Sequence, residues 1–181
     1  MGGPAGAPVY HLTTEYLLER EMEHVFAALT PANRLVCRVA VHTGLRVGDV
    51  LAFKTEKLGR QFWIREAKTG KRRRVNLTDD LLNRVRAQAG PVWAFPGTKP
   101  GKHRTRQAVW ADVKRAAKAF RIKANVAPHS FRKVYAVELM RQCGDVKRVQ
   151  RALNHSDYAT TMVYIMAAEL LEAKRARSKK R

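Results

Sequence analysis

A tyrosine, two histidines and an arginine stand near one another in the last third of the sequence. The stretch LNHSDYATTMVYI places His155 nine residues before Tyr164. Upstream, the segment PHSFRK spaces His129 and Arg132 by three residues, which puts both side chains on one face where a helix begins. A phenol close to imidazole and guanidinium groups indicates either ordinary core packing or chemistry on a phosphate.

Attack on a phosphodiester requires these residue types together. Negative charge accumulates on the non-bridging oxygens, and arginine stabilises it with paired donors in one plane. The leaving oxygen needs a proton, and the nucleophile must lie in line with the bond that breaks. A tyrosine phenol, with a pKa of about 10, leaves more easily than an alkyl alcohol. A covalent tyrosine intermediate can therefore form and be reversed without ATP.

Further cations and a helix end complete this set of groups. Arg46 opens a short helix in TGLRVGD, and Lys68 lies at the tip of a predicted hairpin that contains KTGK. Lys71, at the other end of that tetrapeptide, is also able to deliver a proton. Asn154 precedes His155 and can end a helix in the left-handed conformation in place of glycine.

The composition predicts a polyanionic partner. The formal net charge is +21, from 36 Lys and Arg against 15 Asp and Glu, which favours nucleic acid first and an anionic membrane surface second. Apolar residues make up 45% of the chain, enough for a folded core. No stretch is long enough to span a membrane, and no secretory signal appears. Two cysteines without metal-ligand spacing predict reduced thiols and a cytoplasmic protein.

Apolar periodicity predicts a mainly α fold with one small antiparallel β-sheet, an α+β class. The sheet is a hairpin that turns at Gly70, and its alternating apolar residues are Phe62, Ile64, Val75 and Leu77. The hairpin also carries six cationic side chains. Three of them are consecutive arginines, residues 72–74, which we expect to be solvated or to contact phosphate.

Helical spacing and capping residues predict the remaining elements. The expected helices run from Thr13 or Thr14 to about Leu29, from Pro31 to Thr43, over RVGDVLAF, from Thr78 to Ala89, across Val109–Phe120, from Pro128 to about Gln142, and from Asp145 to about Asn154. A short helix with Tyr164 and a separate charged helix from Ala167 should follow. We expect residues 1–11 to be a linker, residues 12–173 one domain, and residues 174–181 a frayed basic tail.

The order Arg, Lys, His-x-x-Arg, His, Tyr resembles the catalytic domain of the tyrosine recombinases, the phage-integrase family. The matching stretches are TGLRVGDVLAF, KTGKRRRVNL, PHSFRK and LNHSDYATTMVYI. Each motif alone is weak, but several in the right order and spacing are a strong signal. The resemblance spans roughly residues 12–173 and implies the fold of DNA breaking-rejoining catalytic domains.

The resemblance also implies how the strand is cut. Tyr164 would attack the scissile phosphate, giving a 3′-phosphotyrosine link and freeing a 5′-hydroxyl. Arg46 and Arg132 would hold the non-bridging oxygens. Lys68, preferred to Lys71 because of its place in the family pattern, would protonate the leaving 5′ oxygen.

Three more roles follow from the same resemblance. His129 would accept or relay the tyrosine proton, and His155 would donate a hydrogen bond to the phosphate. Asp49 would be the acidic partner that orients a catalytic arginine, although the family more often has glutamate there. The family usually has glycine where this chain has Asn154. Members commonly carry an N-terminal DNA-clamping domain, whereas about a dozen residues precede the first predicted helix here.

The function implied is a site-specific recombinase or integrase that needs no metal and no cofactor. Its partner would be double-stranded DNA, on which it would form a homo-oligomer, a tetramer, with no membrane association. The C-terminal helix, with Leu170 and Leu171, would dock on a neighbouring protomer, or else pack on its own domain. Two alternatives stay open: a nicking-closing enzyme like a topoisomerase, and a basic DNA-binding module without catalysis.

Overall fold

The computed structural model describes residues 15–155 and 158–178, and it confirms a mainly α fold with one small antiparallel sheet. The helices are α1 Glu19–Ala28, α2 Pro31–Thr43, α3 Val47–Leu51, α4 Asp79–Gln88, α5 Arg106–Ala119, α6 Pro128–Cys143, α7 Val146–Leu153 and α8 Tyr158–Ser178. The sheet pairs β1 Gln61–Arg65 with β2 Arg72–Asn76. No helix in this part of the chain is long and apolar enough to cross a membrane.

Helix α2 lies within the hydrophobic core, as its nearly all-round apolar character predicts. Its buried apolar residues include Leu35, Val36, Val39 and Ala40, and α6 packs along it. Pro31 takes the first helical position, where a missing N–H removes no helical hydrogen bond. Gly44 ends the helix with a φ of 65°. Pro31 and Gly44 thus define where α2 begins and ends, and Gly44 turns the chain two residues before Arg46.

Helix α1 begins later than the capping signal predicts. The two threonines expected to cap it lie outside the described residues, and the helix begins at Glu19. Tyr16 and Leu17 are buried in a non-helical segment ahead of it. The Glu21 carboxylate accepts a hydrogen bond of 3.1 Å from the backbone N–H of Leu18, the residue just before the helix, whereas a capping threonine would accept one from a backbone N–H inside the first turn.

The hairpin forms where the period-two pattern predicts it. Phe62 pairs with Val75 and Ile64 with Arg73. Phe62 and Val75 are buried against the main core, while Gly70 adopts a φ of 66° in the turn, which glycine does at little steric cost. The inward-facing positions of β1 are therefore even-numbered, and the next even position beyond the strand is residue 66.

Helix α8 is continuous, whereas two helices and a frayed tail were expected. It runs unbroken from Tyr158 to Ser178 because neither glycine nor proline interrupts it. Ala168 is buried, and Glu172 forms an ion pair with Arg141 of α6. The helix therefore packs on its own domain as far as Glu172. Residues 179–181 of the expected tail and the expected linker at residues 1–11 lie outside the described residues.

The glycines that end α2 and α6 provide a matched test of this packing. Gly44 and Gly144 have φ of 65° and 63°, where alanine is strained by about 1–2 kcal/mol. A Cβ on Gly44 would also lie 2.8 Å or less from three ring carbons of Tyr135, whereas one on Gly144 would meet nothing within 4 Å. We expect Gly144→Ala to lower the free energy of unfolding by about 1 kcal/mol and Gly44→Ala by about 3 kcal/mol. Urea denaturation measures both, and equal losses would contradict the proposed clash with Tyr135.

Candidate active site

A cavity of about 510 Å³ lies between the start of α3, the hairpin turn and the start of α6. Its lining includes five of the predicted site residues, which are Arg46, Asp49, Lys68, His129 and Arg132. Arg106, the first residue of α5, lines the same cavity and was not predicted. Four cationic side chains, those of Arg46, Lys68, Arg106 and Arg132, therefore line the cavity against one carboxylate, that of Asp49, which suits binding of a phosphate.

Arg132 is almost completely buried, with 1% of its surface exposed. Its Nη1 donates to the carbonyl oxygen of Gly44 and its Nη2 to that of Leu153, each at 2.5 Å. Burial, together with the charges of Arg46 and Arg73, lowers the pKa of Arg132 to about 10. The guanidinium thus stays charged at neutral pH and is held by two carbonyl groups.

Arg46 pairs with a carboxylate other than the expected one. Its Nη1 lies 3.0 Å from Oε2 of Glu66, whose side chain is 0% exposed. Asp49 accepts a hydrogen bond of 2.9 Å from the backbone N–H of Ala67 and so anchors the hairpin one residue before Lys68. Burial raises the pKa of Asp49, and this hydrogen bond from Ala67, followed by the charges of Arg46 and Arg132, opposes that rise. An orienting role for Asp49 stays a prediction, but the direct ion pair belongs to Glu66.

Glu66 and Arg73 were both missed from the sequence. Arg73 belongs to the arginine run expected to be solvated or to contact phosphate, yet its side chain is only 12% exposed and lies 3.4 Å from Oε1 of Glu66. It also donates to the carbonyl oxygen of Thr43. A sequence signal existed, because Phe62, Ile64 and residue 66 share the inward face, where a charged residue needs a partner.

Tyr164 lies beside both predicted histidines. Its hydroxyl oxygen is 2.6 Å from Nε2 of His129, which is hydrogen-bonding distance. The phenol ring meets the rings of His129 and His155 edge to face, with centroids 5.8 and 5.5 Å apart. Nδ1 of His155 is in turn 2.9 Å from Oγ1 of Thr161, which steadies that ring. The structure thus brings the two histidines and the tyrosine together beside the cavity that His129 lines.

Burial sets the protonation of the Tyr164–His129 pair. It lowers the pKa of His129 to about 4, with the charges of Arg132 and Lys133 acting in the same direction. Burial raises the pKa of Tyr164, against the opposing charges of Arg132 and Arg46. At neutral pH the imidazole is therefore neutral and the phenol protonated, so the pair is able to share a hydrogen bond, while both shifts oppose full transfer of the phenolic proton to His129.

The two lysines of the hairpin differ in position. Lys68 lines the cavity, while Lys71 is not among the residues that line it. Both are exposed on the turn. A third lysine, Lys133, was quoted in PHSFRK without a role, and its Nζ lies 5.0 Å from the centroid of the Tyr164 ring. The geometry favours Lys68 over Lys71 for any contact with a bound phosphate.

Among the residues that the structure describes, no three His, Cys, Asp or Glu side chains are grouped so that they could hold a metal ion. The positive charge at the cavity comes from guanidinium and ammonium groups of the chain itself.

The chain is similar in sequence to several curated proteins. The chain is 30% identical over 138 residues to tyrosine recombinase XerD of Rhizobium meliloti strain 1021, covering 70% of this chain and 44% of that protein. It is 31% identical over 156 residues to the putative integrase/recombinase y4qK of Sinorhizobium fredii strain NGR234, covering 82% and 51%. The chain thus spans about half the length of these curated relatives.

A solved structure shares the fold. The structure of a lambda integrase dimer bound to a COC′ core site superposes with a TM-score of 0.71 at 20% identity, covering 83% of this chain and 47% of that chain. The sequence profile of the Phage integrase family matches residues 15–170, which is most of the chain. With that match and the identity to XerD, this chain belongs to the phage integrase family, the tyrosine recombinases.

Proposed function

We propose that this chain is the catalytic part of a site-specific DNA recombinase that cuts and rejoins strands through a 3′-phosphotyrosine link. The observation that carries the proposal is the 2.6 Å contact between the Tyr164 hydroxyl and Nε2 of His129, beside a cavity lined by Arg46 and Arg132. A buried phenol next to a neutral base and two guanidinium groups has the parts needed for attack on a phosphodiester.

The proposed cut begins when the Tyr164 hydroxyl gives its proton to His129. The phenolic oxygen bonds to phosphorus, and the bond from phosphorus to the 5′ oxygen breaks. Arg46 and Arg132 stabilise the extra negative charge on the non-bridging oxygens, His155 donates a further hydrogen bond, and the leaving oxygen takes a proton from Lys68. Rejoining reverses these steps with a 5′-hydroxyl as the nucleophile, so no cofactor is consumed.

Double-stranded DNA is the proposed partner. The net charge of +21 supports it, as does the lambda integrase dimer, which is bound to a core site. We infer a tetramer on DNA, because exchange between two duplexes cuts four strands and each cut uses one tyrosine. Since the relatives are bacterial proteins, we place the activity in the bacterial cytoplasm.

A second candidate is nicking and closing of one duplex, as a topoisomerase does. The observation that favours it is that α8, which carries Tyr164, packs on its own domain, so that a single chain is sufficient for one cut. Exchange of strands between two duplexes distinguishes recombination from simple relaxation of supercoils.

The tyrosine assignment predicts a covalent adduct. Incubated with a pool of nicked duplexes of randomised sequence, the wild-type chain should form a protein–DNA band that survives a denaturing gel. Tyr164→Phe should lose it by more than about 1,000-fold, since the nucleophile is gone. Tyr158→Phe is the matched control, because Tyr158 lies on the same helix and is 46% exposed. DNA binding without any wild-type adduct would support a non-catalytic module instead.

Replacement of Lys68 and of Lys71 should slow cleavage to different extents. Lys68→Met should slow adduct formation by about 100-fold or more, the typical contribution of a general acid. Lys71→Met should stay within about 3-fold of the wild type, because Lys71 lies outside the cavity lining. The single-turnover rate of cleavage measures both. The reverse order of effects would transfer the proton-donor role to Lys71.

The burial of His129 predicts an unusually low pKa for its imidazole. In the DNA-free protein, the pKa of His129 should lie near 4 rather than 6.5, which NMR of the imidazole carbons measures directly. Because the folded state holds this proton less tightly than the unfolded state, its contribution to stability is complete above about pH 6.5 and is lost as the pH falls towards 4. His129→Gln should remove that part of the pH dependence. A midpoint at or above 6.5 would contradict the lowering of the His129 pKa by burial.

A further inference from the structure

A single buried carboxylate links three segments of the site. The side chain of Glu66 is 0% exposed. Its Oε2 lies 3.0 Å from Nη1 of Arg46 and accepts a hydrogen bond of 3.0 Å from Oγ1 of Thr69. Its Oε1 lies 3.4 Å from Nη1 of Arg73 and accepts one of 3.1 Å from Nδ2 of Asn154. An isolated buried charge would be very unfavourable, and these partners offset the cost of burying this one.

Each partner stands next to a group of the proposed reaction. Arg46 is one of the two phosphate-binding arginines, and Thr69 follows Lys68 in the hairpin turn. Asn154 immediately precedes His155. The carboxylate therefore joins the start of α3, the hairpin and the end of α7, which are far apart in the sequence.

The bond to Asn154 shows a reason for an asparagine at this place. Asn154 ends α7 with a φ of 52°, a conformation that glycine adopts more easily. Glycine has no side chain to reach Glu66, whereas the asparagine amide does. The residue thus combines the helix end with a link to the hairpin.

We propose that Glu66 is a positioning residue, whose carboxylate fixes the Arg46 guanidinium and holds the Lys68 hairpin against the turn that carries His155. The expected effect of Glu66 on cleavage rests on the proposed function. Its effect on the position of the Arg46 guanidinium does not depend on that function. Glu66 touches no DNA in this scheme and acts through the residues it binds.

A carboxylate suits this place better than an amide. Guanidinium, hydroxyl and amide groups all donate to Glu66, so both oxygens must accept. A glutamine would turn an NH₂ donor towards other donors. Burial raises the pKa of Glu66, but hydrogen bonds from Thr69 and Asn154 and the charges of Arg73 and Arg46 outweigh it and lower that pKa overall.

The test compares Glu66→Gln with Glu56→Gln, which makes the same charge change at an exposed residue. Single-turnover adduct formation is measured with saturating nicked duplexes, well below the melting temperature of each variant. We expect Glu66→Gln to cleave about 100-fold more slowly, as misplacement of a reacting group does, while its DNA affinity and the rate of Glu56→Gln stay within about 3-fold of wild type. A Glu66→Gln rate within that same range would overturn the proposal.

Asn154→Gly tests whether the network acts as one unit. It keeps the helix end but removes the amide, and we expect a loss of about 5-fold alone and almost none when added to Glu66→Gln, because both changes break the same contacts. Fully multiplicative losses would show that Asn154 and Glu66 act separately and would contradict the network.

A readout without catalysis separates this inference from the proposed function. In ¹⁵N-labelled protein without DNA, the Arg46 guanidinium N–H signals should be protected from exchange in the wild type and lost in Glu66→Gln. If the wild type forms no adduct, the recombinase function fails, and these signals alone decide the positioning role. Arg46 signals unchanged by Glu66→Gln would overturn it.

Discussion

The guanidinium groups of Arg46, Arg73 and Arg132 lie in one partly buried region of this protein, where their positive charges repel one another. The fold has to offset that repulsion. The charges of Arg46 and Arg73 add to burial in lowering the pKa of Arg132. Glu66 is the buried anion that pairs with Arg46 and Arg73, while Arg132 has only carbonyl oxygens as hydrogen-bond partners among the contacts described here. Without these acceptors, the cations would lower their energy by moving apart into water, and the cavity would lose its shape.

The carbonyl groups that hold Arg132 come from the ends of helices. Gly44 ends α2, and Leu153 is the last residue of α7. The final carbonyl groups of a helix lack partners within the helix and carry partial negative charge, so they suit a buried cation. Both helices end at a residue with positive φ, Gly44 and Asn154, which turns the chain sharply and leaves these oxygens available. Local sequence signals for helix ends thus have a direct consequence at the site.

Sequence reasoning succeeded where the physics is local. The cap of Thr78, the Pro31 and Gly44 ends and the alternation in the hairpin are signals within a few residues, and all are found in the structure. It failed where a residue's environment depends on distant segments. Glu66 contacts Asn154 across 88 positions, and Arg73 is buried by that same carboxylate, although its arginine-rich surroundings suggest a solvated surface. The start of α1 also depended on distant packing, since the segment before it is buried against the core.

The unbroken course of α8 has a mechanical consequence for Tyr164, the proposed nucleophile. From Tyr164 to Glu172 the helix covers about 12 Å, with no hinge between them. The two residues therefore move together, and in the proposed reaction Tyr164 would reach a phosphate by rotation of its own side chain or by displacement of the whole helix. Glu172 forms an ion pair with Arg141 of α6, so a displacement of the helix at Glu172 would also displace Tyr164.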